Sequence, residues 1–394
     1  MGSISNKKYN FMKILSLFDG ISIARQAITN CGIKIDKYYA SEIDKYAIQI
    51  AQKNFPDTIQ VGNVVDLKGE DFKDIDLIIG GSPCQDLSIA KKNREGLSGA
   101  RSGLFYEYVR LLKEVKPKYF ILENVNSMPK EAKQMITAEL FGIEPIMINA
   151  SLVSAQNRKR IFWIGKLVGD TYEQVKIELP EDKGILLRDI LEEEVDEKYY
   201  LKEDNLKKAI YLKGSKCVER EKNGFKYTFK EGALSLTNED KKSLPILASG
   251  SGGIGRCSNL VKSVSVRIGQ LNSGGQGDRI YSPDGKSVNL SANGGGRGAK
   301  TGLYAITSSG TFGNRKISKN PDKAYCLAAN PSSDQLPRIE ENMQIRKLTP
   351  IECERLQSLP DNYTEGVSNT QRYKALGNGF NCKVIEHIIK NIAC

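Results

Sequence analysis

Along the first 165 residues, short apolar runs alternate with stretches whose apolar positions recur every three or four residues. Residues 14–18 predict a strand, and residues 21–30 a helix closed by Gly32. A second strand is expected over 37–41, followed by a helix over 43–55. A third short strand should reach Val64 and Val65, and a fourth should run over 76–79. Residues 103–116 predict an amphipathic helix, with Leu104, Tyr108, Leu111, Leu112 and Val115 on one face. Further strands follow over 119–122, 146–148 and 161–164. Strands alternating with helices in this way predict an α/β fold, a doubly wound, mostly parallel sheet occupying residues 11–190.

From about 195 to 340 the pattern changes to short strand-like segments between glycine-rich turns, which predicts a smaller, irregular β-rich domain. Apolar residues such as Tyr281, Val288, Leu290, Leu303, Tyr304 and Ile306 recur through it, so it reads as folded. Helical patterning returns over 341–394. There Thr349 is placed as an N-cap, Pro350 at the first helical position, and Glu352 completes a capping box. The last helix carries an apolar stripe of Val384, Ile385, Ile388, Ile389 and Ile392, which must pack on something, most simply the first domain.

Charge sharpens this division. The chain carries a net charge of +11, and residues 241–340 hold 14 Lys and Arg against 5 Asp and Glu, a net of +9. The same hundred residues hold 16 of the 36 glycines. Such a segment is either a solvated insertion or a polyanion-binding module whose backbone can approach a ligand closely. The eight cysteines are scattered without a C-x-x-C pair, which argues for reduced thiols in a cytoplasm and against a zinc knuckle or disulfide scaffold. No apolar run approaches the roughly 18 residues a membrane span needs.

The chemistry gathers where strands are expected to end. The turn LSLFDGIS follows the first strand and opens a helix, the place for a nucleotide-like ligand in this architecture. Glu42 ends the second strand and could accept both hydroxyls of a ribose; Asp66 ends the third and could receive an adenine amino group. Each acid alone could be a helix cap. Asp19, Glu42 and Asp66 in succession favour an adenosine-containing cofactor. The stretch DLIIGGSPCQDLS then delivers Cys84, behind Pro83, into a polar segment, where a packing cysteine would not sit. Its usual base is absent, because the single histidine, His387, lies in the apolar terminal helix. The other groups at strand ends are Glu123, expected on the same edge as Cys84, and Arg158 with Arg160. Those two arginines alternate into a strand and so point the same way; surface charge is the plainer alternative. Thiolate, carboxyl acid, paired arginines and an adenosine cofactor together suit addition to C6 of a cytosine and methylation at C5.

These residues are those of a family. FDG (18–20), GGSPCQDLS (80–88), ENV (123–125), QNRKR (156–160), RKLTPIECERLQSLP (346–360) and LGNGFN (376–381) resemble, in order, six motifs of the cytosine-C5 DNA methyltransferases of bacteria and phages. The resemblance implies a class I, Rossmann-like methyltransferase fold with S-adenosylmethionine as cofactor. It implies Cys84 as nucleophile, Glu123 as the acid at the cytosine N3 and amino group, and Arg158 and Arg160 at the target's oxygen. Around the cofactor it implies Phe18, Asp19, Gly20, Ser22, Glu42, Ile43, Val65, Asp66, Pro83, Asn378, Gly379 and Phe380, the last standing where many members have Val. The partner is expected to be duplex DNA with its target base flipped out. The loop with Gln85, Ser88, Lys91, Arg94 and Arg101 should close over that base, and residues 195–340, with Arg279, Arg297 and Lys316, should recognise the sequence. A monomer is expected, and a companion restriction endonuclease on the same site is left open. A tRNA cytosine methyltransferase and a catalytically silent DNA-binding homologue are the rival readings.

Overall fold

The computed structural model describes residues 11–82, 103–200 and 343–392 continuously. Between them it describes the segments 209–211, 218–222, 225–230, 233–236, 265, 267–271, 278–281, 283, 285–290 and 302–307. The first region runs β1 (Phe11–Leu17), α1 (Ile23–Asn30), β2 (Lys34–Ser41), α2 (Lys45–Asn54), β3 (Ile59–Gln60), β4 (Leu77–Gly80), α3 (Leu104–Val115), β5 (Tyr119–Val125), α4 (Lys130–Glu139), β6 (Ile146–Asn149), β7 (Lys159–Val168) and β8 (Thr171–Gln174).

These eight strands form one sheet, ordered β3-β2-β1-β4-β5-β7-β6, with β8 paired to β7. Pairing is parallel from β3 to β5 and antiparallel where β7 joins β5, β6 and β8. Both faces are covered, so neighbouring residues of each central strand enter opposite cores. Ile14, Ile79, Ile121 and Phe162 pack under α1 on one face, while Leu15, Ile78, Phe120 and Trp163 pack under α3 and α4 on the other. The sheet reverses its winding between β1 and β4. Ligands of open α/β sheets bind in the crevice outside such strand ends.

The third strand differs from expectation. β3 stops at Gln60, and Val64–Asp66 is a turn of 3-10 helix capped by the side chain of Asn63, which accepts the Val65 N–H. Asp66 is therefore carried on that turn, beyond the strand. The periodicity also concealed α4, whose alternation of charged and small residues gives a narrow apolar face.

Beyond residue 200, β9 (Ala209–Tyr211), β10 (Val218–Lys222), β11 (Phe225–Lys230), β12 (Ala233–Leu236), β13 (Arg267–Leu271), β14 (Arg279–Tyr281), β15 (Leu303–Thr307) and β16 (Met343–Arg346) build two small sheets, β10-β11-β12 and β16-β15-β14-β13-β9. The C-terminal segment thus begins as a strand of the second sheet, before its helices. That sheet is not isolated either: Tyr281, Leu290 and Tyr304 belong to the same buried cluster as Ile14 and Ile79.

Three helices close the chain: α5 (Pro350–Leu356), α6 (Asn369–Asn378) and α7 (Cys382–Ile392). α5 starts with the expected capping box, Thr349 accepting the Glu352 N–H while Glu352 accepts that of Thr349. α7 buries Val384, Ile385, Ile388, Ile389 and Ile392 and packs chiefly on α1. Truncating one such isoleucine to Ala would cost about 2–5 kcal/mol. Among the described residues no helix is long and apolar enough to cross a membrane.

Candidate active site

The turn after β1 is built from strained backbone. Phe18, Gly20 and Ser22 all adopt the left-handed conformation, with φ of 57°, 61° and 58°. Only the glycine adopts it freely. What holds the other two is Asp19. Its carboxylate, 5% exposed, accepts the Tyr38 hydroxyl at 2.7 Å and the Ser22 hydroxyl at 2.5 Å, and its N–H donates to Ser41. Burial pushes the Asp19 carboxyl above its ordinary value, although the hydroxyl donors act in the opposite direction. Asp19 and Ser22, both expected around the cofactor, thus turn their side chains inward onto each other. They shape the loop, and Tyr38, which the sequence reading passed over as an ordinary strand residue, anchors it.

Glu42 is fixed more openly. Its two oxygens accept three backbone N–H groups, from Gly20 at 2.8 Å, Ile43 at 2.8 Å and Asp44 at 2.9 Å. The carboxylate therefore bridges the ends of β1 and β2 while remaining half-buried. Ionised, it offers about four acceptor positions, so one remains beyond these three donors. Ile43 and Val65 follow β2 and β3 on that edge and are exposed by 73% and 47%. Large apolar side chains bared at strand ends suit a flat apolar ligand. Phe18 is half-buried and Asp66 exposed.

The C-terminal segment reaches the same edge. A methyl group at Gly379 would lie 2.5 Å from Ile23 Cδ1, so the backbone after α6 passes against the start of α1. Asn378 is exposed there, and Gly379 and Phe380 are half-buried. The Phe380 ring crosses to the end of β4: a Cβ on Gly81 would stand 3.2 Å from Phe380 Cε1 and 3.0 Å from Glu123 Oε2.

Glu123 lies within β5, in the interior of the strand where its end had been expected. Its Oε1 pairs with Arg160 Nε at 2.7 Å, and both side chains are largely shielded, at 13% and 14% exposure. The pair lines a small cavity with Arg158, Phe162 and Phe380. Arg158, 3% exposed, has a different set of partners. Nη1 donates to Asn289 Oδ1 at 2.7 Å, and Nη2 to the carbonyls of Gly377 at 3.2 Å and Gly379 at 2.7 Å. Alternation did place both arginines on one side. Only Arg160 reaches the carboxylate; Arg158 joins the segment 286–290 to the C-terminal turn.

Pro83, Cys84, Gln85, Ser88, Lys91, Arg94 and Arg101 lie outside the described residues, as do Arg297 and Lys316. Arg279 opens β14 and is half-buried. His387 sits within α7 with its ring nitrogen 2.6 Å from the Glu178 carbonyl oxygen.

Comparison with known proteins places the chain in a family. The family model for C-5 cytosine-specific DNA methylases matches residues 12–394. The orphan methyltransferase M.Rho11sI of Bacillus phage rho11s is 29% identical, with 97% of each chain covered. The type II methyltransferase M.HhaI of Haemophilus parahaemolyticus is 26% identical, covering all of this chain and 97% of its own. Among solved structures, the Entamoeba histolytica methyltransferase EhMeth superposes with a TM-score of 0.59 at 17% identity, covering 97% of this chain and 98% of its own. The Dnmt2 methyltransferase of S. pombe gives 0.57 at 18%, covering 96% and 97%. At that identity the structures speak for the fold alone. With the family model spanning nearly the whole sequence, the chain belongs to the C-5 cytosine-specific DNA methylases.

Proposed function

We propose that the protein methylates C5 of a cytosine in a specific duplex DNA sequence, with S-adenosylmethionine as donor and Cys84 as nucleophile. The observation that carries this reading is the Glu123–Arg160 pair held against Gly81. Cys84 follows Gly81 by three residues, so chain length alone keeps it within about 11 Å of that glycine. The residues around the first turn fit the cofactor: Glu42 has an acceptor position left for a ribose hydroxyl, and Ile43, Val65 and Phe18 offer apolar surface for an adenine. When bound, S-adenosylmethionine supplies an electrophilic methyl group.

The residues then divide the work. Cys84, as thiolate, adds to C6 of the flipped-out base, and Glu123 delivers a proton at N3, so that electron density gathers at C5. Arg160 holds the Glu123 carboxyl and a carbonyl oxygen on the base. After methylation the C5 proton passes to solvent, the Cys84–C6 bond breaks and the N3 proton returns to Glu123, which restores the thiolate, the carboxyl acid and the aromatic ring. Lys91, Arg94 and Arg101 close over the base, and Arg279, Arg297 and Lys316 contribute to the DNA-facing surface.

Transfer of labelled methyl groups tests the reading. The purified protein should label duplex DNA at one sequence and leave tRNA unlabelled. A duplex carrying 5-fluorocytosine at that sequence should be trapped covalently by the wild type and not by Cys84→Ala. Label appearing in tRNA alone, or an adduct on another cysteine, would overturn it.

A further inference from the structure

Lys286 belongs to the basic, glycine-rich segment, where composition makes it one more cation for a phosphate. The structure removes it from that role. Its side chain is completely buried, and Nζ donates to the backbone carbonyls of Ser151 at 2.7 Å, Ser154 at 3.0 Å and Ile185. An ammonium has three donors and no acceptor, so three carbonyls complete its hydrogen bonding. Among the described residues no carboxylate forms an ion pair with it. Burial of such a charge is costly unless every donor is used. A residue that bears this cost to join two particular segments calls for a reason, and their location supplies one.

Ser151 and Ser154 form the turn that leads directly into Gln156–Arg160. Next to Lys286, Ser287 continues the join: its N–H donates to the Ala155 carbonyl at 2.8 Å, and its carbonyl accepts the Asn157 N–H at 2.9 Å. Its hydroxyl lies 2.8 Å from that of Tyr304 in β15, which ties the same residue to the second sheet. Arg158 then returns across the junction to Asn289. Over four residues, 286–289, the root of the glycine-rich segment is bonded alternately to and from the stretch that ends in Arg160. Two residues beyond Arg158 stands the guanidinium paired with Glu123.

We infer that Lys286 is a positioning residue for methyl transfer: it locks the root of the DNA-recognition segment onto the turn preceding Arg158 and Arg160, so that correct docking of DNA on that segment sets the Glu123–Arg160 pair. This rests on the activity proposed above. Lys286 itself touches neither base nor cofactor; it acts through the 151–160 backbone. In Lys286→Met the stem remains and the three bonds are lost, so the turn can shift relative to the segment. Displacements of about 1 Å in catalytic groups can cost about a hundredfold in rate.

Single-turnover methyl transfer at saturating DNA, calorimetry with S-adenosylhomocysteine, and the rate ratio between the methylated sequence and a duplex with one altered base pair test this together. Lys286→Met should lose about a hundredfold in single-turnover rate and much of that ratio. Its affinity for S-adenosylhomocysteine and its KM for DNA should stay near wild type. Asn289→Ala, which removes one of the partners of Arg158, should move rate and ratio in the same direction by less. It decides the matter if Lys286→Met does not fold. A rate and ratio unchanged in the folded variant overturn the inference. So does a parallel loss of cofactor affinity, which would make Lys286 a stabilising residue only. A wild type that transfers no methyl group to DNA overturns the proposed function along with it; an active wild type beside an unchanged variant overturns this inference alone.

Discussion

Arg158 Nη2 donates to the carbonyl oxygen of Gly379 at 2.7 Å, across 221 residues of sequence. Two residues later Arg160 turns its Nε to Glu123 at the same distance. The two arginines of one short motif therefore do different work, and substitution should separate them. Arg158→Ala removes the guanidinium donor from the carbonyls of Gly377 and Gly379, leaving Gly379 only a 3.4 Å bond from Gln357 Nε2, and opens space beside Phe380. It should lower stability by about 2–5 kcal/mol, since bonds to charged groups contribute roughly 1.5–3 kcal/mol each and add incompletely. Arg160→Ala breaks one shielded ion pair and should cost less stability than Arg158→Ala, while methyl transfer falls by about two to four decades, the range of general acid–base catalysis. Equal losses of stability in both variants would refute the division.

Gly81 is held between two partners. A Cβ there would meet Glu123 Oε2 at 3.0 Å and Phe380 Cε1 at 3.2 Å, and one of the two must yield. Gly81→Ala is expected to fold and to lose activity. If Phe380 yields, Phe380→Val should make room and restore part of the rate. A double-mutant cycle on kcat/KM should then show a coupling of about 0.5–3 kcal/mol, the usual range for residues in contact. Zero coupling would identify Glu123 as the displaced group.

Cofactor affinity should respond to Glu42 and, less strongly, to Tyr38. Glu42→Ala frees the N–H groups of Gly20, Ile43 and Asp44 and removes the acceptor proposed for a ribose hydroxyl. One lost charged hydrogen bond corresponds to roughly a ten- to hundredfold weaker S-adenosylhomocysteine in calorimetry. Tyr38→Phe, at a buried position, removes one donor from Asp19 and loosens the turn that carries Phe18 and Gly20. Unchanged affinity in both variants would place the cofactor elsewhere.

What the sequence disclosed, and what it hid, follows from the range of each interaction. Strands β1, β4 and β5, the capping box at Thr349 and the stripe on α7 were legible because local pattern determines them. Glu42 was legible as an acid just past its strand; Glu123 was legible as an acid, while the continuation of β5 past it to Val125 was not. Hidden were the inward turn of Asp19, which depends on Tyr38 nineteen residues away, and the separate task of Arg158, whose partners lie 131 and 221 residues away. Lys286 was the most deceptive. Its neighbours are polar and glycine-rich, the signature of surface, while its three acceptors come from segments more than 100 residues earlier.

Alkaline pH should unfold the protein by way of its tyrosines. Tyr38, Tyr108, Tyr172, Tyr304, Tyr363 and Tyr373 are all buried, and burial pushes each phenol above its ordinary value of about 10. A group whose folded-state pKa is raised contributes stability that is complete below the unfolded value and is lost as pH climbs beyond it. Above about pH 10 the unfolded chain releases phenolic protons that the folded chain keeps, each such group removing up to about 1.4 kcal/mol per pH unit. Lys286 and Lys347 oppose this, because burial lowers their ammonium values and the unfolded chain then binds the extra proton. Two lysines against six tyrosines leave the balance falling. Burial raises the thiols of Cys31, Cys353 and Cys382 as well, so the urea midpoint should begin to fall above about pH 8.5 and drop steeply beyond about pH 10. Phenolate absorbance of these six should appear together with unfolding. Its full appearance near pH 10 in a protein that is still folded would show that the tyrosines titrate freely and do not govern the alkaline limit.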